Sequence, residues 1–482
     1  MRTARQDLGW GAAAVLLSAA AWWHGTGLDP FWPLTWLAPL PVLAFALRAR
    51  PSVAVVAALA AWTLGGLNTW HYLRGVLGVP MPVVLVSIGV PALAFAGLAL
   101  LVRMLARRGR ALLAALALPA GWTAFEFVVS RVSPHGTFGS LAYTQMDCLP
   151  VVQVASLLGT SGITFLVVLV PAAAAVATLP TAAPGRLRIL GTMAALAALA
   201  LGYGGWRLVR DDPGPTWVTV GLAAADHPEQ PLPVGTEAAR ELLGGYSGEV
   251  ARLAWRNAEI LVLPETIVRV EADGLTALRE HLAGATEGRL LVVGADLLRP
   301  QEEANVAVAF VPGSPEPAVY AKQHLLPPFE NRYRPGRDLT VLDTRWGRLG
   351  LAVCKDMDFP RLGRRYAARG ASLLLVPAWD FEADGWLHGR MAVLRGVEGG
   401  FAVARAARGG RLTISDDRGR IVADAASAET PLASVVGRVG LRPETTPYAR
   451  LGDWFAWLAC GLFALALSSA VRAGSAQEVA KP

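Results

Sequence analysis

The first 210 residues carry only four acidic side chains, Asp7, Asp29, Glu126 and Asp147, scattered through a succession of long apolar runs. About 20 apolar residues are what a helix needs to cross the hydrocarbon core of a bilayer. Lipid offers backbone N–H and C=O groups no partner, so each span has to satisfy its own. Runs of this kind fall near 8–24, 31–47, 52–73, 82–104, 111–130, 150–179 and 187–206, with an eighth near 452–471. The second is short and interrupted by Pro33, Pro39 and Pro41, the pattern of a tilted or re-entrant segment. Arg2 and Arg5 precede the first run like the basic end of a signal peptide, but further runs follow at once, so it reads as an uncleaved helix.

Charge gives these spans an orientation. With the N-terminus in the cytoplasm, the inner connections carry Arg48/Arg50, Arg107/Arg108/Arg110 and Arg186/Arg188, and the final tail carries Arg472 and Lys481. The outer connections are sparse in basic residues, Arg74 and Arg131 excepted, as the positive-inside rule requires. Trp22, Trp23, Trp32, Trp36 and Trp70 fall at span ends on the outer side and read as an aromatic belt. Residues 1–210 are therefore expected to form a bundle of about seven spans, and 451–482 a last span with a cytoplasmic tail. Residues 211–450 are expected on the extracytoplasmic side, tethered at both ends.

A net charge of +7 and a pI near 9.6 would suit nucleic acid, but the 14 arginines of residues 1–210 supply the whole surplus. The 28 basic and 31 acidic residues of 211–450 leave that part slightly acidic, so no nucleic-acid partner is expected. The apolar excess excludes an ordinary soluble chain and a disordered one. Cys148, Cys354 and Cys460 make neither a disulfide framework nor a zinc spacing; Cys148 and Cys460 read as apolar filler. Glu126 lies inside the fifth run, where membrane acids usually face a bundle interior or a cavity. Packing against Arg131 and lining a lipid groove both fit it.

Within 211–450, short apolar runs at 218–223, 260–263, 290–293, 306–311, 350–353 and 373–376 alternate with amphipathic stretches at 236–257, 274–286 and 360–370. That alternation predicts an α/β domain. Three polar residues stand just past strand ends: Glu265 after 260–264, Lys322 after 318–321 and Cys354 after 349–353. Ligands of open α/β sheets bind at the carboxyl ends of strands. Cys354 precedes Lys355, Asp356 and a helix opening at Pro360, so its thiol is expected to have a lowered pKa; a buried core cysteine is the alternative. Lys322 is one of only three lysines in a chain with 41 arginines, which weighs against a merely solvated cation. Glu265 would pair with an arginine or accept a thiol proton. Together the three suffice for nucleophilic acyl transfer: sulfur attacks, the carboxylate moves the proton, and the ammonium with a backbone N–H steadies the oxyanion. His324 and His388 read as positioning or structural residues rather than as a base.

The order and spacing of Glu265, Lys322 and Cys354 resemble the Glu-Lys-Cys triad of the nitrilase (carbon–nitrogen hydrolase) superfamily. The strings Leu263-Pro-Glu-Thr266, Tyr320-Ala-Lys-Gln-His-Leu-Leu-Pro-Pro-Phe-Glu330 and Val353-Cys-Lys-Asp-Met-Asp-Phe-Pro360 support it. With its membrane spans the chain resembles the apolipoprotein N-acyltransferase family. The strings Phe31–Pro39, Gly65–Trp70, Leu141–Gln145 and Gly159–Phe165 are similar to that family's membrane motifs.

The resemblance implies a multi-pass bundle of about eight spans joined to a four-layer α-β-β-α sandwich, in the inner membrane of a bacterium. It implies a ping-pong reaction in which Cys354 takes an acyl chain from a phospholipid as a thioester. The chain then passes to the α-amino group of a diacylglyceryl apolipoprotein, without metal or organic cofactor, in an enzyme expected to be a monomer. Glu330 matches a glutamate that assists the triad. The sequence departs from the family in having Lys355-Asp356 in place of Tyr-Glu. Leu222-Ala-Ala-Ala-Asp226 stands in place of Gln-Gly-Asn, and Pro377-Ala-Trp-Asp380 is what remains of Ser-Asn-Asp-Ala-Trp. A membrane-tethered amidase that hydrolyses the thioester is the alternative enzyme, and a silent membrane scaffold the alternative from another class.

Overall fold

The structure, a computed structural model, describes residues 4–210, 215–283, 288–300, 302–442 and 444–478. Arg2 and Lys481 of the charge pattern lie outside them. The chain forms two compact units, one of Met1–Val132, Gly139–Arg207 and Asp453–Pro482, the other of Ser133–Phe138 and Leu208–Gly452.

In the first unit, six helices among the described residues are long and apolar enough to cross a membrane: Pro51–Thr69, Met81–Arg107, Ala111–Val132, Ala155–Ala177, Pro180–Val209 and Trp454–Arg472. The sequence suggested eight. Ala4–Gly25 has the length, but Gly9, Gly11, Trp22, Trp23 and His24 dilute its apolar run. The run at 31–47 divides into Trp32–Thr35 and Pro39–Ala46, each with a proline in its first turn, where the missing N–H costs nothing.

The core of this unit is mainly Ala, Leu and Val around an aromatic cluster. Trp22, Trp62, Phe95 and Trp122 pack there in tilted and edge-on pairs, with ring centroids 4.5 Å apart for Trp22–Trp62 and 4.4 Å for Trp62–Trp122. Trp22 is thus buried inside the bundle and does not belong to an interfacial belt. It reaches that depth because residue 65 is glycine: a Cβ there would lie 2.3 Å from the Trp22 Cβ. Asn68 donates to the carbonyls of Trp23 and Thr26, closing the end of the first helix.

Glu126 is not paired with Arg131, which bonds Asp453 instead. Its carboxylate accepts from Trp122 Nε1 (2.9 Å), Leu141 N (2.9 Å), Ser140 Oγ (2.6 Å) and Thr164 Oγ1 (2.8 Å). Four donors satisfy a carboxylate in a region without water. They pin the turn Leu141–Gln145 to two helices, and Gln145 in turn accepts from Trp36 Nε1 at 2.6 Å.

The second unit has fourteen described strands: β1 (Thr216–Ala225), β2 (Leu232–Pro233), β3 (Ile260–Val262), β4 (Val268–Glu271), β5 (Leu290–Arg299), β6 (Glu302–Phe310), β7 (Ala318–Ala321), β8 (Val341–Thr344), β9 (Gly347–Leu351), β10 (Ala371–Trp379), β11 (Ala402–Arg408), β12 (Arg411–Ser415), β13 (Ile421–Ala426) and β14 (Leu432–Leu441). They form two sheets. One runs β14-β1-β3-β5-β4-β2, with β6 joining β5 to β7; the other runs β13-β12-β11-β10-β9-β8. Strand alternation builds the layers. Val218, Val220, Leu222, Leu290 and Val292 face Leu349, Leu351, Leu373, Leu375 and Ile414 between the sheets. Leu291, Val293 and Ala295 point outward onto Leu243, Tyr246 and Val250 of the helix Glu237–Trp255, and Leu374 and Val376 onto Leu362 and Tyr366 of the helix Pro360–Ala368. The result is the four-layer α-β-β-α sandwich.

Candidate functional site

Glu265, Lys322 and Cys354 leave β3, β7 and β9 at their carboxyl ends, and the sandwich brings them together. The backbone at Glu265 is fixed from both sheets: its N–H donates to Ala378 O of β10 at 3.2 Å, while Gly294 N donates to Pro264 O at 2.9 Å. Residue 294 has to be glycine, since a Cβ would stand 2.3 Å from Pro264 O and 2.4 Å from Glu265 Cα. Thr266 then turns the chain with φ 48°.

Lys322 Nζ donates to Glu265 Oε1 at 2.8 Å and lies 2.9 Å from Glu330 Oε2. Asn305 of β6 bridges the same two acids, its Nδ2 being 2.5 Å from Glu265 Oε1 and 2.7 Å from Glu330 Oε1. Leu326 N closes the set on Glu330 Oε2 at 2.7 Å. All four side chains are buried. Sequence reasoning missed Asn305, although an asparagine amid the alternating apolar residues of β6 already signals a buried polar group in need of partners.

Cys354 opens a short 3₁₀ turn, Cys354–Asp358, with φ 44°, in the left-handed region that costs a non-glycine residue about 1–2 kcal/mol. Asp356 holds it there. Its carboxylate accepts from Val353 N (3.1 Å), Tyr320 OH (2.8 Å), Gln323 N (3.1 Å), His324 N (3.0 Å) and His324 Nδ1 (2.9 Å). One acid thus ties the turn to the segment that begins at Lys322. His324 stacks on Phe359 with centroids 3.7 Å apart, and His388 sits between Asp358 and Asp384 at 3.6 and 3.4 Å. Each histidine is thus held by a buried carboxylate.

The electrostatics correct one expectation. Burial and then the Glu265 carboxylate push the Cys354 thiol well above its ordinary pKa, outweighing the pull of Lys322 and Arg405. Position beside an ammonium does not lower the thiol, because the nearby carboxylate and the lost solvation favour S–H. Burial raises Glu265 too, with Glu330 adding to it and Lys322 opposing. Burial disfavours the Lys322 ammonium, but Glu265 and Glu330 more than compensate and hold it charged. The arrangement suits a resting thiol whose proton passes to Glu265 as sulfur attacks, beside a fixed cation able to face an oxyanion.

The thiol donates to Trp379 O at 3.3 Å. From Trp379 an aromatic run continues through Phe381 (6.0 Å) to Phe329 (5.3 Å from Phe381), whose ring is 48% exposed. Beneath it Asp380 and Arg405 form a buried two-bond pair at 2.5 and 2.7 Å. Among the described residues no three His, Cys, Asp or Glu side chains gather as a metal site.

Over the sandwich, residues 237–451 match the family model described as carbon-nitrogen hydrolase. Residues 13–173 match the apolipoprotein N-acyltransferase N-terminal domain. The chain is similar to apolipoprotein N-acyltransferases along most of its length. It is 28% identical to the apolipoprotein N-acyltransferase of Geobacter metallireducens, over 88% of each chain. It is 32% identical to that of Thermotoga maritima over 26% of each. Among solved structures it resembles an amidase from Nesterenkonia sp., with 24% identity and a TM-score of 0.39 over 51% of this chain and 94% of that one.

Proposed function

We propose that this membrane enzyme transfers a fatty acyl chain from a phospholipid, through a thioester on Cys354, to the α-amino group of a diacylglyceryl apolipoprotein. In the first half-reaction Glu265 takes the thiol proton as sulfur attacks the ester carbonyl. Lys322 faces the oxyanion, and the lysophospholipid leaves as its alkoxide regains the proton from Glu265. In the second half-reaction the amine attacks the thioester and sulfur leaves. Glu330 and Asn305 keep Lys322 and Glu265 in register. The observation that carries the reading is the buried Glu265–Lys322 pair serving a thiol whose neighbour, Trp379, begins an aromatic run that ends at the exposed Phe329 and suits an alkyl chain. A small soluble amide needs neither that surface nor membrane helices. The positive-inside pattern supports a bacterial inner membrane with the sandwich on the extracytoplasmic side.

The test follows an acyl-labelled phosphatidylethanolamine with the full-length protein and a diacylated lipopeptide. Label on Cys354 and then on the peptide amine supports transfer. Label recovered only as free fatty acid overturns it in favour of a hydrolase.

A further inference from the structure

The second half-reaction leaves one proton over. The acceptor arrives as an ammonium, and forming the amide releases two protons: one returns to sulfur through Glu265, and the other needs a second base. The site holds two lysines in opposite surroundings. Lys322 is clamped by two carboxylates within 3 Å. Lys355, next in sequence to Cys354 and 5% exposed, has as its near partner a ring nitrogen, His135 Nδ1 at 3.0 Å, with the carboxylate Asp358 Oδ2 at 3.8 Å. His135 comes from Ser133–Phe138, which follows the helix Ala111–Val132 in sequence but folds with the sandwich. The segment is docked by Thr137, whose N–H and hydroxyl both donate to Asp358 O at 3.1 and 2.7 Å, and by Gly136, where a Cβ would lie 2.6 Å from the same oxygen.

The groups facing Lys355 decide its charge. Burial lowers its pKa first, and Lys322 adds to that against Asp358, Cys354 and Glu330. Burial and the neighbouring Lys355 hold His135 neutral, with a pKa of about 4. Behind Asp358, His388 is raised to about 10 by Asp384 and Asp358, whose attraction exceeds the cost of burying it. Its protonated ring therefore shares the carboxylate that would otherwise serve Lys355 alone. Two like groups driven apart by their surroundings mark an acid and a base.

We propose that Lys355, held by His135, is the base that removes the second proton from the incoming α-ammonium. The ammonium N–H bond breaks, the proton joins the Lys355 amine, and the freed nitrogen lone pair attacks the thioester carbon. Lys355 then returns the proton to solvent, beside the exposed His135 that holds it in place. Its Nδ1 can accept from the lysine in either charge state.

The inference rests on the acyl-transfer reading, and the two half-reactions separate its failure from that reading's. With labelled phospholipid alone, Lys355→Arg and Lys355→Met should form acyl-enzyme within about threefold of wild type. Transfer to the lipopeptide at neutral pH should fall about 100-fold, the scale of one general base, and recover as the pH rises toward the α-amino pKa of about 8, levelling off above it as the amine becomes free without help. Hydroxylamine, uncharged at neutral pH, should discharge variant and wild-type thioesters equally. His135→Asn, which keeps an acceptor, should retain more transfer than His135→Ala. Equal losses in both halves, or Lys355→Arg transferring like wild type, overturn the proposal. A wild-type protein that forms no thioester overturns the acyl-transfer reading itself.

Discussion

Glu330→Gln probes how the site sets the basicity of Glu265. Both carboxylates accept from the same two donors, Asn305 Nδ2 at 2.5 and 2.7 Å and Lys322 Nζ at 2.8 and 3.0 Å, which puts their oxygens about 4–5 Å apart by the ordinary geometry of a shared donor. At about 5 Å and an effective dielectric constant near 20, two like charges repel by about 3 kcal/mol. Glu330 raises Glu265, so removing its charge lowers Glu265, and glutamine keeps an oxygen for Lys322. A base needed in its ionised form then works to lower pH. The acid limb of kcat/KM for acyl-enzyme formation should move to lower pH, and the plateau should fall about tenfold because a weaker base pulls less on the thiol proton. The assay is single-turnover acylation across pH, read as released lysophospholipid. An acid limb that stays in place or moves up would refute the reasoning.

Three further substitutions address the scaffold. Gly294→Ala should cut acylation about 100-fold, the cost of a displacement near 1 Å, because the added Cβ meets Pro264 O and Glu265 Cα; a larger fall in thermal stability than in rate would contradict this. Arg405→Met leaves Asp380 buried without its partner and should cost about 3–5 kcal/mol of stability in denaturant melts, most of it recovered by adding Asp380→Leu. Asp356→Asn turns an amide donor toward groups that already donate, and should cost about 2–4 kcal/mol while slowing acylation more than it alters KM.

The α/β class and the three strand-end residues were legible because strands are short and apolar, and a reactive side chain just past one stands out. The layer assignment follows from alternation at Leu290–Val293 and Leu373–Val376, which read as uniformly apolar in one dimension and face two cores in three. Span number was less legible: helix length is written in the sequence, but Pro33, Pro39 and Pro41 cut one run, and Gly9, Gly11 and His24 thin another. The thiol's pKa went the other way from expectation because neighbours in sequence announce Lys355 but not burial or the approach of Glu265. Nothing near residue 135 announces that a short connection after a membrane helix folds with the sandwich, since that is settled by contacts 220 residues away in the chain.

The account turns on a fatty chain held by one sulfur. Mass analysis of the Cys354 peptide, taken from full-length protein exposed to phospholipid without acceptor, reads it directly. The account predicts an added acyl mass on that peptide, discharged by hydroxylamine and missing from Cys354→Ala. An acyl group found elsewhere, or Cys354→Ala transferring at the wild-type rate, would contradict it.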